Sequence, residues 1–81
     1  MKVFYSPHFK ARFRRCPVVV QQKFYKQANF LLKNLRHPSL DAKKYDESQE
    51  IWQARVDRNY RFYFCITGDT YMLLDITPHP K

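Results

Sequence analysis

Glycine is nearly absent from this chain of 81 residues, which has a single example, Gly68. Phosphate-binding loops of the Walker and dinucleotide types need several glycines at fixed spacing, because their backbone must approach the phosphates closely. Both kinds of nucleotide site are therefore excluded. No apolar run approaches the ~18 residues that span a bilayer, and no secretion signal opens the chain. We expect a cytoplasmic protein that has no membrane partner.

Cysteine is also scarce, and the spacing of Cys16 and Cys65 matches no metal-ligand motif. Both thiols occur among apolar residues, and in the cytosol such thiols stay reduced and behave as small hydrophobic side chains. A zinc site made from both cysteines and two of the three histidines is the alternative. We expect a protein that needs neither a metal nor another cofactor.

Acidic residues are missing from residues 1–40, which contain nine lysines and arginines. Residues 41–81 contain six basic and seven acidic residues, so the two parts carry +9 and −1 and the net charge is +8. Such a field attracts polyanions: nucleic acid, an anionic membrane surface or an acidic protein segment. A solvated helix face that only keeps the domain soluble is the other interpretation.

Hydrophobic residues make up 44% of the chain and aromatic residues 17%, which is enough for one small core. The length predicts a single domain over residues 1–81. After a short strand at residues 2–5, Ser6 and Pro7 have the character of a helix cap and a first helical residue. Pro17 ends this helix and opens a second one, expected over residues 17–35. Its apolar stripe consists of Val20, Phe24, Ala28 or Gln27, Leu31 and Leu35.

Residues 36–50 are predicted to form a connecting loop, which Leu40 and Tyr45 anchor to the core. The last third of the chain then alternates with period 2, broken at residues 57–59 and at Gly68-Asp69, and this pattern predicts three antiparallel strands. The order β-α-α-β-β-β predicts an α+β fold, in which a helical hairpin packs on a small, mostly antiparallel sheet.

The alternation also sorts the strand residues into two faces. The core face is expected to hold Trp52, Ala54, Val56, Tyr60, Phe62, Phe64, Ile66, Met72, Leu74 and Ile76. The opposite, polar face is expected to hold Gln53, Arg55, Arg61, Tyr63, Cys65, Tyr71, Leu73 and Asp75, continuing to His79. Guanidiniums, aromatic rings and an imidazole gather on that second face, so we expect the functional site there.

Three segments together resemble the RelE/ParE superfamily of bacterial toxins, and in particular its RelE-like branch of mRNA interferases. They are H-P-S-L-D-A-K-K-Y (37–45), I-W-Q-A-R-V-D-R-N-Y-R-F-Y-F (51–64) and G-D-T-Y-M-L-L-D-I-T-P-H (68–79). The resemblance implies the RelE-like microbial RNase fold and a toxin of a type II toxin–antitoxin system. Its implied partners are a cognate antitoxin protein, the ribosome and mRNA.

The resemblance further implies a metal-independent endoribonuclease, in which the 2′-hydroxyl of the mRNA attacks the adjacent phosphate. Such a reaction needs a base, an acid and cationic donors that stabilise the transition state. Arg61 matches the family's transition-state arginine, Arg55 occupies a position where the family has lysine or arginine, and His79 is suited to proton transfer. These three are the predicted catalytic residues. The predicted RNA-binding residues are Lys43, Lys44, Tyr63, Tyr71 and Lys81.

The sequence departs from the best-known endonucleases in two places. Gln53 stands where they have a lysine, and the sequence stops at Lys81, before the C-terminal tyrosine that many of them place in the site. Two other functions therefore stay open: a ParE-like toxin whose partner is DNA gyrase, and a degenerate toxin that only binds its antitoxin. A structural role is open for two of the arginines as well. Arg61 would then pair with Asp75, and Arg55 with Asp75 or Asp57.

Overall fold

The computed structural model describes residues 1–79, within which five strands form one mixed sheet. In chain order the elements are β1 (Lys2–Tyr5), α1 (Pro7–Arg14), α2 (Val18–Lys33), a 3₁₀ turn (Pro38–Leu40), β2 (Lys43–Asp46), β3 (Ile51–Arg55), β4 (Tyr60–Thr67) and β5 (Thr70–Pro78). The sheet order is β1-β5-β4-β3-β2; β1 and β5 run parallel, and the other neighbours are antiparallel. The predicted α+β class is confirmed.

The connection between α2 and β3 differs from the predicted loop. Residues 43–46 pair with β3 and add a strand that the expected order β-α-α-β-β-β does not contain. Leu40 is fully buried and anchors this connection as predicted, whereas Tyr45 is 63% exposed, so its predicted anchoring role is wrong. The prediction failed because the strand has four residues and a bulge at Tyr45 interrupts its alternation.

Both helices begin within one residue of the predicted position, and α2 ends two residues before the predicted end at residue 35. The Ser6 hydroxyl accepts a hydrogen bond of 3.1 Å from the Phe9 amide, and Pro7 is the first residue of α1. Pro17 precedes α2, which ends at Lys33 because Asn34 is extended. Neither helix within residues 1–79 is long and apolar enough to cross a membrane.

The core lies between the helices and one face of β3, β4 and β5. Phe24 of α2 meets Phe62 of β4 with 5.3 Å between ring centroids, and Phe62 lies 5.8 Å from Phe64. All three rings are fully buried. We call this helix-covered side of the sheet the inner face and the opposite side the outer face.

A bulge in β5 changes which of its residues point inward. Tyr63 pairs with Asp75 while Phe64 pairs with Leu73, so Leu74 is an extra residue on β5. Tyr71 and Leu73 are consequently buried in the core, and their predicted place on the polar face is wrong. Met72 and Leu74 are displaced from the predicted core in the same way. Beyond the bulge Ile76 is buried as expected.

Candidate functional site

Arg55 and Arg61 lie directly opposite each other on the outer face, where β3 pairs with β4. Their predicted common face is confirmed. Like charges directly opposite on neighbouring strands destabilise a sheet, so the pair works against the stability of the strands that carry it. The arrangement concentrates positive charge at one end of the outer face.

The Arg61 guanidinium folds back onto the turn between β3 and β4. Its Nη1 donates to the carbonyl oxygens of Asp57 at 2.7 Å and Tyr60 at 2.9 Å. The alternative ion pair with Asp75 does not form, because Arg61 pairs with Thr77 across the strands and Asp75 lies opposite Tyr63. Arginine has five N–H donors, and only Nη1 has partners within residues 1–79. The remaining donors are therefore available to an anion.

The Arg55 guanidinium is held loosely by an acidic residue. Nη2 of Arg55 lies 3.5 Å from Oδ2 of Asp41, and the two side chains are 45% and 55% exposed. An exposed pair of this kind contributes about 0–1 kcal/mol, so a phosphate can replace Asp41 at little cost. Neither alternative partner is used, since Asp57 pairs with Lys23 and Asp75 pairs with α1.

Beside the arginines the outer face carries a cluster of polar and aromatic side chains. Gln53 lies opposite Tyr63, and its Nε2 donates to the Tyr63 hydroxyl at 3.0 Å. The Tyr45 ring meets the Tyr63 ring edge to face at 4.9 Å. Both rings line a shallow groove of about 410 Å³, together with Ile51, Leu74, Asp75, Thr77 and Pro78. Aromatic walls of this kind suit a nucleic-acid base that stacks.

Two side chains of helix α1 contact Asp75, which lines the groove. β1 pairs with β5 only as far as Leu73, and α1 packs beside the rest of β5. Nε2 of His8 and Nε of Arg12 lie 3.4 Å and 3.5 Å from Oδ1 of Asp75. The carboxylate in the groove is thus partly neutralised by the basic helix, which reduces its repulsion of a phosphate chain.

The other predicted site residues are distributed over both faces. Lys43 pairs with Gln53 and so lies on the outer face, whereas Lys44 pairs with Trp52 on the inner side, with Nζ 5.5 Å from the ring. Tyr71 is 5% exposed, and burial raises the pKa of its phenol. Its predicted role as an RNA-stacking ring is therefore wrong. Lys81 lies outside the described residues.

His79 follows β5 and is exposed. Its amide donates to the Asn59 carbonyl at 2.6 Å, which fixes its backbone against the turn that also receives Arg61. The structure thus brings the backbone of His79 to the end of the sheet where Arg55 and Arg61 pair.

Three neighbours of this site were not predicted from the sequence: Tyr45, His8 and Arg12. The connection that contains Tyr45 was predicted as a loop, and no sequence signal placed His8 and Arg12 of α1 beside β5. Within residues 1–79 there is no cluster of three or more metal-ligating side chains. Cys16 and Cys65 are both unbridged, and burial raises the pKa of the Cys16 thiol.

No protein-family model matches the chain, and no curated protein matches its sequence. Solved structures match over nearly its whole length. A YoeB/ParE toxin from Agrobacterium tumefaciens has a TM-score of 0.81 and 12% identity, covering 99% of this chain and 100% of its own. A chain of the archaeal RelE–RelB complex from Pyrococcus horikoshii has a TM-score of 0.77 and 15% identity, covering 95% and 92%.

A third match is the RelB–RelE antitoxin–toxin complex from Methanococcus jannaschii. Its TM-score is 0.78 at 17% identity, and the match covers 93% of this chain and 88% of that one. At such identities the likeness shows the fold. The chain has the fold of the RelE/ParE toxins, as the resemblance of its sequence implied.

Proposed function

We propose that this protein is the toxin of a type II toxin–antitoxin system and acts as a metal-independent endoribonuclease on ribosome-bound mRNA. The observation that carries the proposal is the cross-strand pair of Arg55 and Arg61 on the outer face. Proteins with the same fold include a YoeB/ParE toxin and RelE chains in complex with RelB. These likenesses support a toxin with an antitoxin partner.

The arginines suit the transition state of phosphate transfer. When a 2′-hydroxyl attacks the adjacent phosphate, negative charge grows on the phosphoryl oxygens, and fixed cationic donors stabilise it. Two neighbouring strands would supply such donors: the N–H groups of Arg61 that do not bond to the turn, and the guanidinium of Arg55 after phosphate replaces Asp41. Arginine itself does not deprotonate in proteins, so a different group must move protons.

His79 is our candidate for proton transfer, because imidazole is the side chain best suited to that role near neutral pH. Gln53 cannot exchange a proton, and its amide is engaged with the Tyr63 hydroxyl. The RNA would lie along the groove, with a base against the rings of Tyr45 and Tyr63 and the backbone near Lys43.

An antitoxin partner suits the charge of the chain. The nine basic residues within residues 1–40, unaccompanied by acidic ones, favour an acidic protein segment. Salt screens attraction between exposed charges, so the complex should weaken as ionic strength rises. An affinity that is equal at low and high salt would contradict this part of the proposal.

The test is induction of the chain without its partner, followed by mapping of mRNA 5′ ends. We expect growth arrest and new in-frame cleavages, both strongly reduced in Arg61→Ala and in His79→Ala. Arg58→Ala is the matched control, because Arg58 is an exposed arginine in the neighbouring turn. Its toxicity should equal that of the wild type.

Each alternative function has its own signature in the same experiment. Growth arrest with gyrase-linked double-strand breaks and no new mRNA 5′ ends would show that the protein inhibits gyrase and does not cleave mRNA. Full growth at high expression would leave a protein that only binds its antitoxin. Full toxicity in both Arg61→Ala and His79→Ala would end the catalytic assignment.

A further inference from the structure

Gln27 is the one polar side chain among the buried residues of the described chain, with 3% of its surface exposed. It lies on the stripe of α2 that faces the core, between Phe24 and Leu31. Buried polar groups destabilise a core unless they are hydrogen-bonded. A glutamine in this stripe therefore has a specific set of partners.

Those partners connect α2 to β3, the strand that carries Arg55. Nε2 of Gln27 donates to the carbonyl oxygens of Ser39 at 3.0 Å and Arg55 at 2.8 Å. Its Oε1 accepts from the Ser39 hydroxyl at 3.0 Å. Both amide hydrogens and the carbonyl oxygen of Gln27 are thus used, and a fully bonded amide in a core has a fixed position.

In the part of the chain that the structure describes, the backbone of Arg55 has no neighbouring strand on its β2 side, and Gln27 supplies a hydrogen bond there instead. Within residues 1–79, β2 pairs with β3 only from Ile51 to Gln53, two residues before Arg55. At this end of β3, where no β2 residue is available, the hydrogen bond from Gln27 holds the backbone of Arg55.

The side chain of Arg55 lies beside the segment that Gln27 holds. Its partner Asp41 follows the 3₁₀ turn, adopts a left-handed φ of 46°, and donates its amide to Pro38 at 3.2 Å. Gln27 fixes this turn through both bonds to Ser39. The backbone of Arg55 and the turn that carries its acidic neighbour Asp41 are therefore held by the same buried amide.

We propose that Gln27 is a positioning residue for Arg55: it fixes the end of β3, from which the guanidinium reaches the phosphate. The inference rests on the proposed nuclease function for its activity readout. Misplacement by about 1 Å from a remote change can lower a rate roughly 100-fold. Gln27→Leu should accordingly lower mRNA cleavage by roughly 10- to 100-fold per folded molecule.

Gln21 offers a matched control in the same helix. Its Nε2 also donates to two backbone carbonyls, those of Phe13 and Cys16, at 3.0 Å and 3.1 Å. These bonds tie α2 to the end of α1, so they do not involve Arg55. Gln21→Leu should lower the melting temperature and leave cleavage per folded molecule close to that of the wild type.

A double-mutant cycle separates positioning from stability. If Gln27 acts through Arg55, then Gln27→Leu causes no further loss of cleavage in an Arg55→Ala background. Losses that multiply, or equal losses in the two glutamine variants, would overturn the inference. Should Gln27→Leu fail to fold, Ser39→Ala removes only the hydroxyl bond to Gln27, and we expect a smaller loss of the same sign.

A spectroscopic readout on the isolated protein does not need activity. The Nε–H NMR signal of Arg55, assigned by its disappearance in Arg55→Lys, should move in Gln27→Leu or Ser39→Ala and stay unchanged in Gln21→Leu. A wild type without cleavage would remove the proposed function and leave this measurement valid. An Arg55 signal that neither Gln27→Leu nor Ser39→Ala moves would overturn the positioning role.

Discussion

The two faces of the sheet use adjacent residues of the same strand for opposite purposes. Phe62 and Phe64 point inward from β4 and are fully buried. Arg61, just before Phe62, and Tyr63, between the two phenylalanines, point outward and are half-buried. The inner face gains free energy from apolar burial. The outer face opposes two guanidiniums, which costs stability. Stability and anion binding thus separate onto the two sides of one strand.

The largest effect on stability should come from truncating a buried ring of the inner face. Phe62→Ala removes a ring that contacts both Phe24 and Phe64, and such a truncation costs about 3–5 kcal/mol of unfolding free energy. Domains have only about 5–15 kcal/mol in total, so urea titration should show a severely destabilised protein. The neighbouring change Tyr63→Ala should cost much less. Equal losses at both positions would abolish the distinction between the faces.

Removing the fork of Arg61 should lower activity strongly while the protein still folds. Arg61→Lys keeps the charge and loses the planar fork that can contact two phosphoryl oxygens. Losing a fixed transition-state donor costs about 10²–10³ in rate, measured as cleavage of mRNA on the ribosome. Lysine can keep only part of the bonding to the carbonyls of Asp57 and Tyr60, and a hydrogen bond to a charged group contributes about 1.5–3 kcal/mol. The unfolding free energy should fall by about that much, less than in Phe62→Ala. A lysine variant with full activity would show that charge alone suffices.

A smaller effect should follow from changing the groove ring. Tyr63→Leu removes the aromatic surface beside Tyr45 and should weaken single-stranded RNA binding by about 1–3 kcal/mol. Filter binding or fluorescence anisotropy measures this difference. Tyr71→Phe is the control, because Tyr71 is buried and should not touch RNA. Equal weakening in both variants would move the binding surface away from the groove.

Much of this arrangement is predictable, because β3 and β4 pair without interruption from Trp52–Phe64 to Arg55–Arg61. Their alternation translates directly into faces, which is why the arginine pair follows from sequence alone. The Ser6 cap and the stripe of α2 follow from equally local rules. The structure of each of these elements is determined by residues within the element itself.

Two features could not be predicted from such local rules. In β5 the run Tyr71 to Leu74 is apolar in both phases, so nothing in it marks Leu74 as the bulged residue. A one-residue shift exchanges the two faces, and Tyr71 consequently entered the core. The bonds of Gln27 to Ser39 and Arg55 join segments 12 and 28 residues away. Such partners are set by tertiary packing, and a polar residue in a stripe does not identify them.

The burial of Tyr71 should be visible in alkaline solution. Burial raises the pKa of this phenol above 10.0 in the folded protein, so above about pH 10 the unfolded chain releases a proton that the folded chain retains. The unfolded state then binds fewer protons, and the free energy of unfolding falls as pH rises. Tyr71→Phe removes this contribution, so its stability should fall less steeply than that of the wild type between about pH 9 and about pH 11. Urea midpoints across that range measure both slopes.

Burial also raises the pKa of Tyr5, so part of the wild-type slope should persist in Tyr71→Phe. Identical slopes in the two proteins would place Tyr71 outside the core.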